Sequence, residues 1–232
     1  MIFNNDIIFI HIGKTGGMSC ARYLLENLHA PVFNCHEFAE QEMLNNPIDG
    51  VVPLADTHRH WSLQESLDYL KKSHNKNLSD FKKVLAVVRN PFSLEYSFYN
   101  HMKKPHVQKQ RGPASQPIFN LADGDFTNFV RHAGYHAPGK TQDDFVRIDG
   151  EIPDLVELVR FESIDPDFIN ATRQYTKSAS TGEFSKRNKT NYKQDLAEYM
   201  SDELKDIVYK KHKYMFDSGM YSIDEASAPL DK

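Results

Sequence analysis

Cysteine is almost missing: the 232 residues contain two, Cys20 and Cys35, and no CxxC pair. This excludes a disulfide scaffold and a thiolate metal centre, and reads as two reduced core or near-core thiols in a reducing, cytoplasmic compartment. Long apolar runs are missing too; none approaches the ~20 residues that a membrane-spanning helix requires. The amino-terminal "MIFNNDIIFIHIG" has no basic region and no small-residue cleavage site, so it reads as the start of a fold and not as a targeting segment. An excess of positive charge is likewise absent. With 28 Lys and Arg against 32 Asp and Glu the formal net charge is −4, which argues against a general nucleic-acid binder. No internal repeat or low-complexity segment is present, and the sequence leaves the oligomeric state open.

What remains is an ordinary globular composition, 40% hydrophobic and 26% charged, in a chain long enough to bury one α/β core. Ile7–Ile12 ("IIFIHI") is apolar at nearly every position, the mark of a strand covered on both faces. A glycine turn and a helix-spaced run (Ala21, Leu24, Leu25, Leu28) follow it. "PVFNC" predicts a second strand, and "LADTHRH" a short strand ending in a histidine pair. Ser62 and Glu65 form a capping box for a helix. "KVLAVV" is another buried strand, ended by Asn90 as helix cap and Pro91 at the first helical position. Residues 105–140 read as a loop or insertion beside the acceptor site, because 105–125 hold several glycines and prolines without periodicity. "DFTNFVRHAG" predicts a short helix inside that span. "LVELVRFESI" predicts a strand, and "QDLAEYMSDELKDIVYKKHKYMF" one closing helix that packs on the sheet. Strands alternating with helices indicate a single α/β domain over 1–232, with a central, mostly parallel sheet flanked by helices.

In such sheets ligands bind beyond the carboxyl ends of the strands. Gly13–Ser19 ("GKTGGMS") sits there, directly before a helix. Its glycines allow close backbone approach to an anion, Lys14 adds a mobile positive charge, and Thr15 and Ser19 add hydroxyls. It lacks the spacing of a Walker A loop, and by itself is also compatible with a ligand-free turn. Arg89 ends a buried strand, where a guanidinium calls for an anion or a structural ion pair. Ser93 and Ser97 follow on one face of the next helix, so that Arg89 and Ser97 are suited to one phosphate. Around Arg89 the charge is locally positive: Lys82, Lys83, Arg89, Lys103, Lys104, Lys109 and Arg111 are opposed by Glu95 alone.

Taken together, "FIHIGKTGGMS" and "VVRNPFSLEYSFYNH" resemble the membrane-type, carbohydrate-acting sulfotransferases, a group that includes heparan sulfate 2-O-sulfotransferase and many bacterial relatives. "LVRFESIDPDF" and "RNKTNYKQDLAEYMSDELKDIVYKKHKYMFDSGMY" extend the resemblance over most of the chain except roughly 105–140. The resemblance implies a P-loop-like fold and a donor, 3′-phosphoadenosine-5′-phosphosulfate (PAPS). Its 5′-phosphosulfate would be held by Lys14, Thr15, Gly16, Gly17, Met18 and Ser19, and its 3′-phosphate by Arg89 and Ser97. It implies contacts from Lys189 and Thr190, in a late loop that folds over the nucleotide in relatives. It also implies a carbohydrate or glycan acceptor and no metal. Gly13 and Met18 depart from the family's usual proline and threonine.

The acceptor hydroxyl needs a base, and His58 and His60 in "THRHW" are the candidates, since neutral imidazole is available near pH 7. By the family's register His60 fits best, with Lys14 neutralising charge on the leaving oxygen. A His-x-His metal pair would need a third ligand, and none is evident. His11 reads as packed and not catalytic. Tyr135, His136, Lys140 and Arg111 are candidates for the acceptor cleft. The rival readings are a P-loop-like nucleotide kinase or hydrolase, which would need Walker A spacing and a magnesium carboxylate, and a catalytically inactive glycan-binding relative.

Overall fold

The computed structural model describes residues 1–35, 48–54, 57–134, 140–177 and 196–227. By compactness the chain divides into two units, 1–88 with 143–189 and 89–142 with 190–232.

The first unit is built on a six-stranded sheet in the order β4-β3-β1-β2-β5-β6. Its strands are β1 (Ile2–Phe3), β2 (Ile7–Ile10), β3 (Val32–Asn34), β4 (Val51–Pro53), β5 (Lys83–Val88) and β6 (Val156–Arg160). β2, β5 and β6 pair in parallel, as do β3 and β4, whereas β1 is antiparallel to both neighbours. The sheet is thus mostly parallel, as its apolar strands imply, with one reversed strand that the sequence reading did not anticipate. Asn4 makes the reversal. Its Oδ1 accepts from the amides of Asp6 and Ile7, both at 2.9 Å, and folds β1 back on β2.

The continuous apolar runs explain which strands lie centrally. Every residue of β2 is buried, as is every residue of β5 after Lys83. One sheet face is covered by α1 (Gly17–Asn27) and α7 (Ile164–Thr172). Ile7, Phe9, Leu85 and Val87 pack there against Leu24, Leu28 and Phe168. Phe9 and Phe168 meet edge to face at 5.6 Å. The helix α2 (Leu63–His74) opens with the expected box: the Ser62 hydroxyl accepts from the Glu65 amide at 3.3 Å, and the Glu65 carboxylate from the Ser62 amide at 2.7 Å. Thr57–His60 are not a strand; they lead into a turn at Arg59–His60, and β4 lies upstream of them. Both cysteines are buried and unpaired with each other.

The second unit centres on α3 (Pro91–Met102), whose residues from Pro91 to Tyr99 are all buried. Asn90 caps it as expected, its Oδ1 accepting from the amides of Phe92 and Ser93 at 3.0 and 3.4 Å. Two expectations are corrected here. The stretch 105–125 is not a loop: it carries α4 (Pro105–Arg111) and α5 (Gln116–Ala122), followed by the anticipated α6 (Phe126–His132). Pro105 and Pro117 stand in the first turn of their helices, where proline is tolerated, so they start these helices instead of breaking them. At seven residues each, such helices are too short for a periodicity to show. The closing helix is also not single. After a 3₁₀ turn at Leu196–Tyr199, Ser201 caps α8 (Asp202–Lys211) by accepting from the Leu204 amide at 3.1 Å, and a break at His212 precedes α9 (Lys213–Asp217). Within this unit α8 lies against α6 and α9.

A buried charge cluster lies at the break. Glu95, on α3 and fully buried, accepts at one carboxylate oxygen from His212 Nε2 at 2.7 Å and from Lys211 Nζ at 2.9 Å. Lys211 also donates to the carbonyls of Val130 and Ala133, tying α6 into the cluster. Burial alone would raise the Glu95 pKa, but Lys211 and His212 outweigh it and hold the carboxyl below its ordinary value. Glu95→Ala would strand the partly buried Lys211 ammonium and the buried His212 ring, and is expected to lower stability by about 3–5 kcal/mol in urea unfolding. Because the folded pKa is depressed, this contribution is present above the unfolded value and is lost as pH falls through the folded one.

Candidate active site

β2 ends at Ile10, and His11, Ile12 and a four-residue turn lead into α1. The turn contains two left-handed residues, Lys14 (φ 63°) and Gly16 (φ 77°). Thr15 between them is buried, its hydroxyl donating to the Ile12 carbonyl at 2.8 Å. Thr15 therefore closes the loop on its own strand. That bond uses the one proton of the Thr15 hydroxyl within the loop. α1 begins with no side-chain cap and no acidic residue in its first turn, so its amino-terminal end keeps its positive character for an anion.

The paired glycines have separate reasons. A Cβ on Gly16 would stand 3.0 Å from the Phe161 ring and 3.1 Å from Ile164, on top of its left-handed backbone. One on Gly17 would fall 2.0 Å from the His11 ring. Phe161, the residue after β6, is thus the wall behind the loop. Its part was not legible beforehand, although it lies in the quoted "LVRFES" segment.

His11 is buried, as expected of a packed histidine, and its ring lies 4.8 Å from that of His60. The backbone carbonyl of His11 is 3.0 Å from Nδ1 of His60. A carbonyl only accepts, so Nδ1 carries the proton and the neutral ring keeps its lone pair on Nε2. Burial pushes the His60 pKa down to about 4, with the charges of Arg59 and His58 adding to it against the opposing bond to His11. The turn bearing His60 is anchored by the Cys35 thiol, which reaches the His58 carbonyl at 3.7 Å. His58 itself is exposed, its ring 5.7 Å from that of His60, and the stretch turns where an extended one was expected. Its Nδ1 accepts from the His60 amide at 3.2 Å. Among the described residues no three His, Cys, Asp or Glu side chains are grouped to hold a metal.

In the second unit Arg89 is buried, and its Nε donates to Ser93 Oγ at 2.8 Å. The serine that holds the guanidinium is thus Ser93, while Ser97, also buried, lies one turn further along α3. The backbone of Arg89 is gripped by Gln142, a residue with no sequence signal: its Oε1 accepts from the Arg89 amide at 2.7 Å and its Nε2 donates to the Arg89 carbonyl at 2.8 Å. Lys189 and Thr190, like Tyr135 and His136, lie outside the described residues. Lys140 is half-buried and Arg111 exposed at the end of α4.

The profile of the sulfotransferase family matches residues 3–206, nearly the whole of this framework. The chain belongs to the sulfotransferase family. No curated protein matches it. Among solved structures it is similar to mouse sulfotransferase SULT7A1, crystallised with PAP, at 14% identity and a TM-score of 0.34. That match covers 73% of this chain and 56% of the mouse chain, so the chain spans little more than half of that relative's length. A sulfotransferase from Alicyclobacillus acidocaldarius is similar at 12% identity and a TM-score of 0.37, with 90% of this chain and 91% of that one covered. Family membership agrees with the resemblance read from the loop and the Arg89 segment. Among the described residues no helix is long and apolar enough to cross a membrane.

The depressed His60 pKa has a direct readout. In imidazole NMR, His60 is expected to stay neutral as pH falls through the ordinary 6.5 and to titrate near 4, with Nδ1 protonated. The unfolded chain takes up that proton first, so the stability contributed by neutral His60 is full above 6.5 and is lost as pH falls towards 4.

Proposed function

We propose that this chain moves the sulfuryl group of PAPS to a hydroxyl of a carbohydrate or glycan acceptor, with His60 as the base. The observation that carries the reading is the local pairing of His60 with the glycine loop. His11 packs its ring on Gly17 of the loop and offers its carbonyl to His60. A neutral base is thereby built into the same few residues as an uncapped helix start.

The residues present suit the donor. The left-handed Lys14 and Gly16, the open start of α1 and the Lys14 charge suit its 5′-phosphosulfate, and Ser19 supplies a hydroxyl there. Arg89, set by Ser93, suits its 3′-phosphate, with Ser97 on the same helix. Bound, the donor supplies the sulfuryl group. The rest falls to the protein: Lys14 offsets negative charge growing on the bridging oxygen, and His60 Nε2 takes the acceptor proton as the oxygen attacks. Such transfer depends mostly on positioning and electrostatics, as phosphoryl transfer does. The acceptor class rests on the motif resemblance, and the basic run from Lys103 to Arg111 suits an anionic glycan.

Ligand choice is checked by thermal shift. 3′,5′-ADP is expected to raise the melting temperature more than ATP with Mg²⁺, and the reverse order would favour a kinase or hydrolase. Roles are checked by ³⁵S transfer from labelled PAPS to a glycan panel. Lys14→Ala is expected to abolish transfer, and His60→Ala to lower kcat by about 10²–10⁴-fold with 3′,5′-ADP affinity unchanged. His58→Ala is expected to stay near wild type; the opposite pattern would move the base to His58.

A further inference from the structure

Where β5 stops at Val88, the next backbone amide and carbonyl lose their ladder partners, yet Arg89 remains buried. Buried peptide groups need replacements. Gln142, 53 residues away and 0% exposed, supplies both, with bonds of 2.7 Å to the Arg89 amide and 2.8 Å to its carbonyl. A primary amide is suited to this, since its adjacent donor and acceptor match those of a peptide, and it adds no charge beside the guanidinium. From the other side, Arg89 Nε is held by Ser93 Oγ at 2.8 Å, and that hydroxyl donates on to the Asn90 carbonyl at 3.1 Å. Backbone and side chain of Arg89 are therefore fixed from two independent directions.

We propose that Gln142 is a positioning residue for Arg89, and that it sets how strongly the protein prefers a nucleotide carrying a 3′-phosphate over one without it. The inference rests on the reading that Arg89 takes the 3′-phosphate. A residue that only filled the core would weaken every ligand alike. One that aims Arg89 alters a single increment, the gain from the 3′-phosphate. An acid at this position behaves differently in its two protonation states. Protonated, it keeps both bonds; ionised, it sets an oxygen against the Arg89 carbonyl and competes with the phosphate for the guanidinium.

The test is calorimetric titration of 3′,5′-ADP and of 5′-AMP into wild type, Gln142→Leu, Gln142→Glu and Arg89→Ala, read as the ratio of the two Kd values. Gln142→Leu is expected to cut the ratio on the order of tenfold with 5′-AMP affinity unchanged. Gln142→Glu, whose ionised carboxylate cannot donate to the Arg89 carbonyl, is expected to cut it as well at pH 8. Should Gln142→Leu fail to fold, Gln142→Glu carries the test. A folded Gln142 variant with an unchanged ratio, or with equal losses for both nucleotides, overturns the inference. If Arg89→Ala collapses the ratio while the Gln142 variants do not, the inference alone fails. If Arg89→Ala leaves the ratio intact, the assignment of the 3′-phosphate to Arg89 fails and the inference with it.

Discussion

The missing side chain of Gly17 is the constraint on which the first unit's candidate site depends. A Cβ there would overlap the His11 ring, so only glycine lets the strand end and the helix start approach as closely as they do. That approach puts the His11 carbonyl where it meets His60, and a carbonyl admits only one neutral tautomer of the facing ring. The site's protonation state is thus traceable to an absent methyl group. Gly16 adds a second constraint, being left-handed and closed behind by Phe161 and Ile164. The loop cannot relax towards either neighbour.

Burial works in opposite senses at the two prominent ionisable clusters. At His60 it removes a proton, which suits a base that must be neutral before it acts. At Glu95 it would add a proton, but Lys211 on α8 and the neighbouring His212 hold the carboxyl below its ordinary value. The difference lies in the partners and not in the depth. His60 faces a carbonyl and the neighbouring charges of Arg59 and His58, whereas Glu95 faces Lys211 and His212. The first arrangement prepares chemistry, and the second holds α3, α6 and α8 together.

Arg89 shows how a buried cation is kept usable. Its backbone is held by an uncharged amide and its Nε by a hydroxyl, so neither bond cancels its charge. These neutral partners set where the backbone and Nε of Arg89 lie.

The sequence by itself determined what depends on neighbours along the chain. The buried strands β2 and β5, the glycine loop, the Ser62–Glu65 box and the Asn90–Pro91 helix start are local patterns, and each formed where its residues dictate. Local reasoning failed where helices were too short to show a period, as in α4 and α5, and at the break at His212, which no local breaker residue marks. Only the tertiary structure decided which histidine faces His11, that Thr15 serves its own loop, and that Ser93 holds Arg89. Gln142 is the clearest case: an unremarkable polar residue whose role exists only because folding brings it to a strand end 53 positions away. Local patterns encode backbone shape; proton placement and side-chain aim depend on contacts that the chain makes only once it is folded.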